Sequence, residues 1–247
     1  MRPQCAVSSP YTAFGRFCVL LALALSGAAA HALTISPVLV ELSPARRIAS
    51  ITLSNPGDQP ISFQAATMAW TQPDGIDRYE ESDELVVVPP FAEIPAGGSQ
   101  IFRVTLRQPA GAREQAYRLI FEDVTAITAP ASEEVAVTIR FNHDLPVFAA
   151  VAGKPRAEPR LGPCTGAAPA AGGCVRLDND GNRYVRVDSL TVEGAEGKKE
   201  FKVSTRVLAG AWRQWTFDVP GPSTGSVKVS ARTSDGLVAT ELAIPAR

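Results

Sequence analysis

The chain has 247 residues, 24 Lys+Arg against 25 Asp+Glu, and 45% hydrophobic residues. With a formal net charge of −1 there is no basic field for nucleic acid. The composition is that of a globular protein of one or two domains, neither disordered nor membrane-embedded.

Residues 1–32 carry only two charges, Arg2 and Arg16. The apolar run Phe17–Leu25 is too short to span a bilayer and leads into the small residues Ser26–Ala30. Ala30-His31-Ala32 is an A-x-A cleavage site, so the pattern reads as a secretory signal peptide cut after Ala32.

From Leu33 onward nearly every segment has period two or reads as a turn. LTISPVLVEL is an extended run broken by Pro37, which argues for an edge strand or a bulge. ASITLSN, ISFQAATMAW, ELVVV, QIFRVTL, AYRLIFEDV and EEVAVTIRF follow, separated by NPGDQP, TQPDG and PAGGSQ. Seven short strands within about 115 residues predict an antiparallel sandwich of immunoglobulin type. In the last strand, Glu134–Asn142, the residues Val135, Val137, Ile139 and Phe141 share one face. That face belongs either in the protein's own core or in a partner.

After Phe148 the texture changes. AAVAGKPRAEPRLGP suits a linker or a leading strand, and a second β-rich set follows. The expected division is 33–152 and 153–247. Cys164 and Cys174 bracket the small residues TGAAPAAGG. In an exported chain they read as one disulfide, free thiols being the other possibility.

Catalytic signals are absent. His143 is the only histidine after the leader and stands beside Asp144, but no G-x-S-x-G nucleophile signature accompanies it. DNDGN, Asp178–Asn182, starts like a calcium loop, yet Ser189 stands where the twelfth-position Glu belongs. It reads instead as a hairpin turn. No metal, cofactor or enzymatic activity is expected.

The ordered set LTISPVLVELSP, ITLSNPGDQPISFQAATMAWTQPDG, DELVVVPPFAEIPAGGSQIFRVTLR, AYRLIFEDV, LPVFA, NDGNRYVRV and VLAGAWRQW resembles periplasmic chaperones of the chaperone–usher pathway, in their archaic or alternative branch. The resemblance spans nearly the whole chain after residue 32. It implies an all-β boomerang of two immunoglobulin-like domains, placed in the periplasm. The implied partners are pilus subunits and an outer-membrane usher, with no small-molecule substrate. The implied mode is strand addition, for which pilin complementation is a standard example. Val135, Val137 and Ile139, with Phe141, would be the lent side chains.

Relatives of this kind hold the subunit's terminal carboxylate with two basic residues. Here those positions fall on Leu39 and on Phe141 or Asn142, none of them basic. Arg140, Arg118 and His143 are the substitutes in reach. Arg118 also reads as a solvent-facing strand arginine, and His143 as the cap of a turn. The resemblance further allows a cis X–Pro bond at Pro89 or Pro90. The alternative is a structural or adhesive exported protein whose strand 134–142 is internal.

Overall fold

The structure is a computed structural model, described here for residues 33–126, 140–165, 173–218 and 225–244. The expected signal segment, 1–32, lies outside the described residues.

The fold is all-β, as two sandwiches in series. The first contains β1 (Thr34–Ser36), β2 (Val40–Leu42), β3 (Ile48–Ser54), β4 (Ile61–Thr71), β5 (Arg78–Glu81), β6 (Leu85–Val88), β7 (Phe91–Ile94), β8 (Ser99–Leu106), β9 (Gln115–Asp123) and β10 (His143–Ala149). One sheet runs β1-β3-β8-β6; the other runs β2-β10-β9-β4-β5, with β7 also on β4. The second sandwich contains β11 (Pro159–Pro163), β12 (Gly173–Asn179), β13 (Val185–Gly194), β14 (Gly197–Val207), β15 (Trp212–Phe217), β16 (Gly225–Thr233) and β17 (Gly236–Ile244). Its sheets are β11-β12-β15 and β14-β13-β16-β17.

Each core follows from strand alternation. On β3, β8 and β9 the inward residues Ile51, Leu53, Phe102, Val104, Leu119 and Phe121 are fully buried. Phe102 and Phe121 meet across the sheets with ring centroids 4.8 Å apart. The second core gathers Val175, Leu177, Val185, Val187, Leu190, Val192 and Val229.

Several expectations need correction. The first sandwich has ten strands among the described residues, not seven. Pro37 splits the opening run into β1 and β2, and the two halves join different sheets. β5 was hidden because all four of its side chains are exposed, so it shows no apolar period. β7 is a four-residue strand lying between Pro90 and Pro95. The cis bond is Val88–Pro89, and Ser36–Pro37 is also cis.

The Asp178–Asn182 turn is not a hairpin, because β12 and β13 belong to different sheets. It is organised around Asn179, which is fully buried. The Asn179 amide donates to the carbonyls of Arg183, Val207 and Leu208 at 2.8–3.2 Å, and its Oδ1 accepts the Gly181 N–H at 3.2 Å. A Cβ on Gly181 would lie 2.7 Å from the Glu158 nitrogen and run into the Arg156 carbonyl, so close approach excludes a side chain there. The first sandwich uses the same device. Asn55 donates to Gln59, Ile94 and Pro95 carbonyls at 2.7–3.2 Å and accepts the Gly57 N–H at 3.0 Å. LSNPG and LDNDG are thus one structural corner used twice. The Cys164–Cys174 disulfide is present and ties the end of β11 to β12.

Candidate functional site

β10 is paired along its whole length with β9 on one side, from His143↔Phe121 to Ala149↔Gln115. On its other side the parallel partner β2 reaches only from Val147↔Val40 to Ala149↔Leu42. Among the described residues, His143–Pro146 therefore have no strand on that side. Pro146 lies in this stretch, where a residue without an N–H does least harm to a ladder. Beside the open edge is a pocket of about 380 Å³, lined by Leu33, Ile35, Val38 and residues 142–145.

The sequence places the last strand at Glu134–Asn142. The described strand starts later, at His143, and Arg140, Phe141 and Asn142 are in no strand. Phe141 leaves 65% of its surface in solvent. Val135, Val137 and Ile139 lie outside the described residues.

The outward face of the same sheet is organised in rows. Glu41, Phe148, Ala116, Trp70 and Tyr79 form the first row across β2, β10, β9, β4 and β5. Pro146, Arg118, Met68 and Glu81 form the next. Asp144, Ile120 and Ala66 follow. The first row meets the second sandwich: Leu208 packs with Trp70, Ala116 and Phe148, and Phe148 stacks on Tyr184 at 4.0 Å.

Arg118 is not the solvent-facing arginine that its strand position suggests. Its side chain is 18% exposed, and its guanidinium lies 4.1 Å above the Trp70 ring and 5.5 Å from that of Tyr79. It makes one long ion pair, 3.5 Å to Asp144, and its buried Nε has no hydrogen-bond partner among the described residues. A planar guanidinium held by its face keeps its terminal in-plane N–H groups for an acceptor, which is the geometry for a carboxylate, and here those groups have only 3.5 Å contacts, to Asp144 and to the Tyr79 hydroxyl.

The other substitutes are placed differently. The exposed Arg140 donates to the Thr125 carbonyl at 2.7 Å. His143 opens β10 as its first strand residue, with its ring 6.1 Å from that of Phe63. Leu39 is partly buried against the Trp70–Phe148 cluster.

A polar network joins the sandwiches behind this row. Gln72 Oε1 accepts the Leu208 N–H at 2.8 Å, and its Nε2 donates to the Arg206 carbonyl and to Asp77. Asp77 also accepts the Trp70 indole N–H at 2.8 Å and pairs with Arg213 at 2.6 Å. Burial alone would raise the Asp77 carboxyl, but hydrogen bonds from Gln72, Arg213 and Trp70 and the Arg213 charge hold it below the usual range. Glu114 Oε1 accepts the Tyr184 N–H at 2.8 Å, and the Glu114 N–H donates to the Asn182 carbonyl. Burial pushes the Glu114 carboxyl up to about 7; the Tyr184 N–H and Arg183 oppose this and Glu41 adds to it.

Sequence reasoning missed Trp70, Gln72, Asp77, Glu114 and Arg213. The signal available was a tryptophan ending a strand, followed by polar residues at a turn, which specifies no partner in a distant segment.

Residues 32–152 match the family model described as pili and flagellar-assembly chaperone, PapD N-terminal domain. No curated protein matches the chain by sequence. Among solved structures, the chain is similar to one in the CsuC–CsuE chaperone–tip adhesion subunit complex from archaic chaperone–usher Csu pili of Acinetobacter baumannii. That match has 20% identity and a TM-score of 0.62, covering 85% of this chain and 97% of that one. It is also similar to a chain in the complex of the Salmonella enterica SafA pilin with the SafB chaperone, at 16% identity and a TM-score of 0.60, covering 87% and 99%. A third is the E. coli chaperone DraB, at 18% identity and a TM-score of 0.58, covering 86% and 97%.

Proposed function

From the membership of residues 32–152 in the PapD-type family of pilus-assembly chaperones, we propose that this protein binds pilus subunits in the periplasm by lending them a strand. Residues 1–32 would serve as the export signal, and delivery would be to an outer-membrane usher. In this reading the segment from Val135 to Phe141 continues the line of β10 and fills the gap in a subunit that lacks its last strand. The observation that carries the reading is the half-open edge of β10: among the described residues His143–Pro146 have no strand on one side, and the exposed Phe141 stands just upstream.

The energetics suit a reversible hold. An incomplete subunit exposes apolar groove and unpaired backbone, both prone to aggregation. Three buried aliphatic side chains, Val135, Val137 and Ile139, contribute about 5–9 kcal/mol before ordering costs. A one-residue slip would present Ala136, Thr138 and Arg140 instead, so register is specified. No covalent bond forms, and the subunit remains transferable.

The missing basic pair is replaced, in this reading, by Arg118. Its guanidinium is desolvated enough to bind strongly and is short of a good acceptor. An anion would meet the terminal N–H groups of the guanidinium, whose contacts to Asp144 and to the Tyr79 hydroxyl are both as long as 3.5 Å, and the subunit's terminal carboxylate fits that geometry.

The test is co-purification with a subunit encoded beside this gene. Val137→Asp and Arg118→Ala should each fold and each lose the subunit, the first almost completely and the second by about tenfold or more. Full recovery of subunit on folded Val137→Asp protein would refute strand lending. Export of the protein to the cell surface as a fibre component would support the structural alternative.

A further inference from the structure

Arg118 has several rotatable bonds, yet its guanidinium is fixed before any ligand arrives. Trp70 supplies the floor at 4.1 Å. A guanidinium lying face-down on a ring spends its face on the contact and leaves its edge, where the N–H groups are, pointing away. The floor is itself fixed. The Trp70 indole N–H donates to Asp77 Oδ1 at 2.8 Å, and the second Asp77 oxygen is held by Arg213 of the second sandwich at 2.6 Å. Gln72 closes the arrangement from the side, also at 2.8 Å to Asp77.

We propose that Trp70 is the positioning residue of the carboxylate site, locked by Asp77 and Arg213, so that carboxylate recognition by Arg118 is assembled from both sandwiches. This rests on the reading of Arg118 as the anchor. Trp70 and Asp77 do not touch the ligand. They remove the freedom that Arg118 would otherwise lose on binding, and they set the direction of its fork. The consequence is selective: loss of the floor weakens carboxylates and leaves neutral ligands untouched. It also ties the anchor to the interface, because the Asp77–Arg213 pair exists only while the two sandwiches are in contact.

The experiment uses the full mature chain, isotopically labelled, with two small probes: N-acetylphenylalanine and its neutral analogue N-acetylphenylalaninamide. Side-chain N–H resonances of Arg118 and Trp70 are followed by NMR. In the wild type the acid should shift both resonances and the amide neither. Trp70→Phe should weaken the acid about fivefold, and Asp77→Asn about threefold. Both should lower the Arg118 side-chain order parameter. If Trp70→Phe does not fold, Asp77→Asn carries the test, since an asparagine oxygen can still accept the indole N–H. Acid affinity and Arg118 order equal to wild type in the folded variants, with Arg118→Ala abolishing the response, would overturn the positioning role and leave the anchor standing. Equal responses to acid and amide in the wild type would instead remove the anchor, and this proposal with it.

Discussion

Replacing Glu114 by Gln should make the protein more stable at pH 8 and leave it nearly unchanged at pH 5. The side chain sits in a pocket of about 530 Å³ between the sandwiches, with Trp70, Gln72, Glu84 and Leu208 among its walls. Burial raises its carboxyl from 4.5 to about 7. A raised carboxyl means that the folded state binds the proton more tightly than the unfolded chain. The contribution of Glu114 to stability is therefore fully present below pH 4.5 and is lost as pH climbs through 7. The full difference would be about 3 kcal/mol at 1.36 kcal/mol per unit, and partial exposure reduces it to roughly 1–2 kcal/mol. Glutamine keeps an acceptor for the Tyr184 N–H without a charge to desolvate. The assay is urea unfolding of wild type and Glu114→Gln at steps from pH 4.5 to 8.5. The wild-type midpoint should fall relative to the variant across the range, by the equivalent of roughly 1–2 kcal/mol. A constant offset between the two curves, or a variant that loses stability faster than wild type as pH rises, would refute the argument.

Other outcomes follow from the packing. Asn179→Ala strands the buried Val207 and Leu208 carbonyls and should cost about 2–4 kcal/mol in denaturant unfolding. Asn55→Ala should behave alike in the first sandwich, whose Ile94 and Pro95 carbonyls lose their donor. Breaking the Cys164–Cys174 bond should lower stability by about 2–3 kcal/mol without changing subunit capture, because the ring it closes is short and lies in the second sandwich. Gly181→Ala should be among the most damaging single-methyl changes, seen as a lowered Tm, because backbone closes on that position.

Fold class was readable because strand alternation is a local signal: Ile51/Leu53, Phe102/Val104 and Leu119/Phe121 are two apart and all point inward. Strands without an apolar face were not readable. Arg78–Glu81 forms β5 only because the end of β4 offers it an edge. The half-open edge of β10 was also invisible, since it depends on where β2 stops. Arg118 shows the limit for the site. Its strand and its outward direction follow from AYRLIF, but its burial does not. That burial comes from Trp70, whose orientation is set by Asp77 and by Arg213 from another sandwich. The Asn179 corner was legible as a turn and illegible as a core, because two of its three carbonyl partners, Val207 and Leu208, lie about thirty residues downstream.

The central claim concerns a strand lent at the open side of β10. Amide hydrogen exchange over residues 135–146, measured on the protein alone and co-expressed with a pilus subunit, tests it most directly. Fast exchange in the free protein at Val135–Phe141, slowed by two orders of magnitude or more at alternate amides in the complex, is the predicted result. Strong protection of those amides in the free protein, unchanged by the subunit, would mean that the segment already belongs to its own sheet, and the account would be wrong.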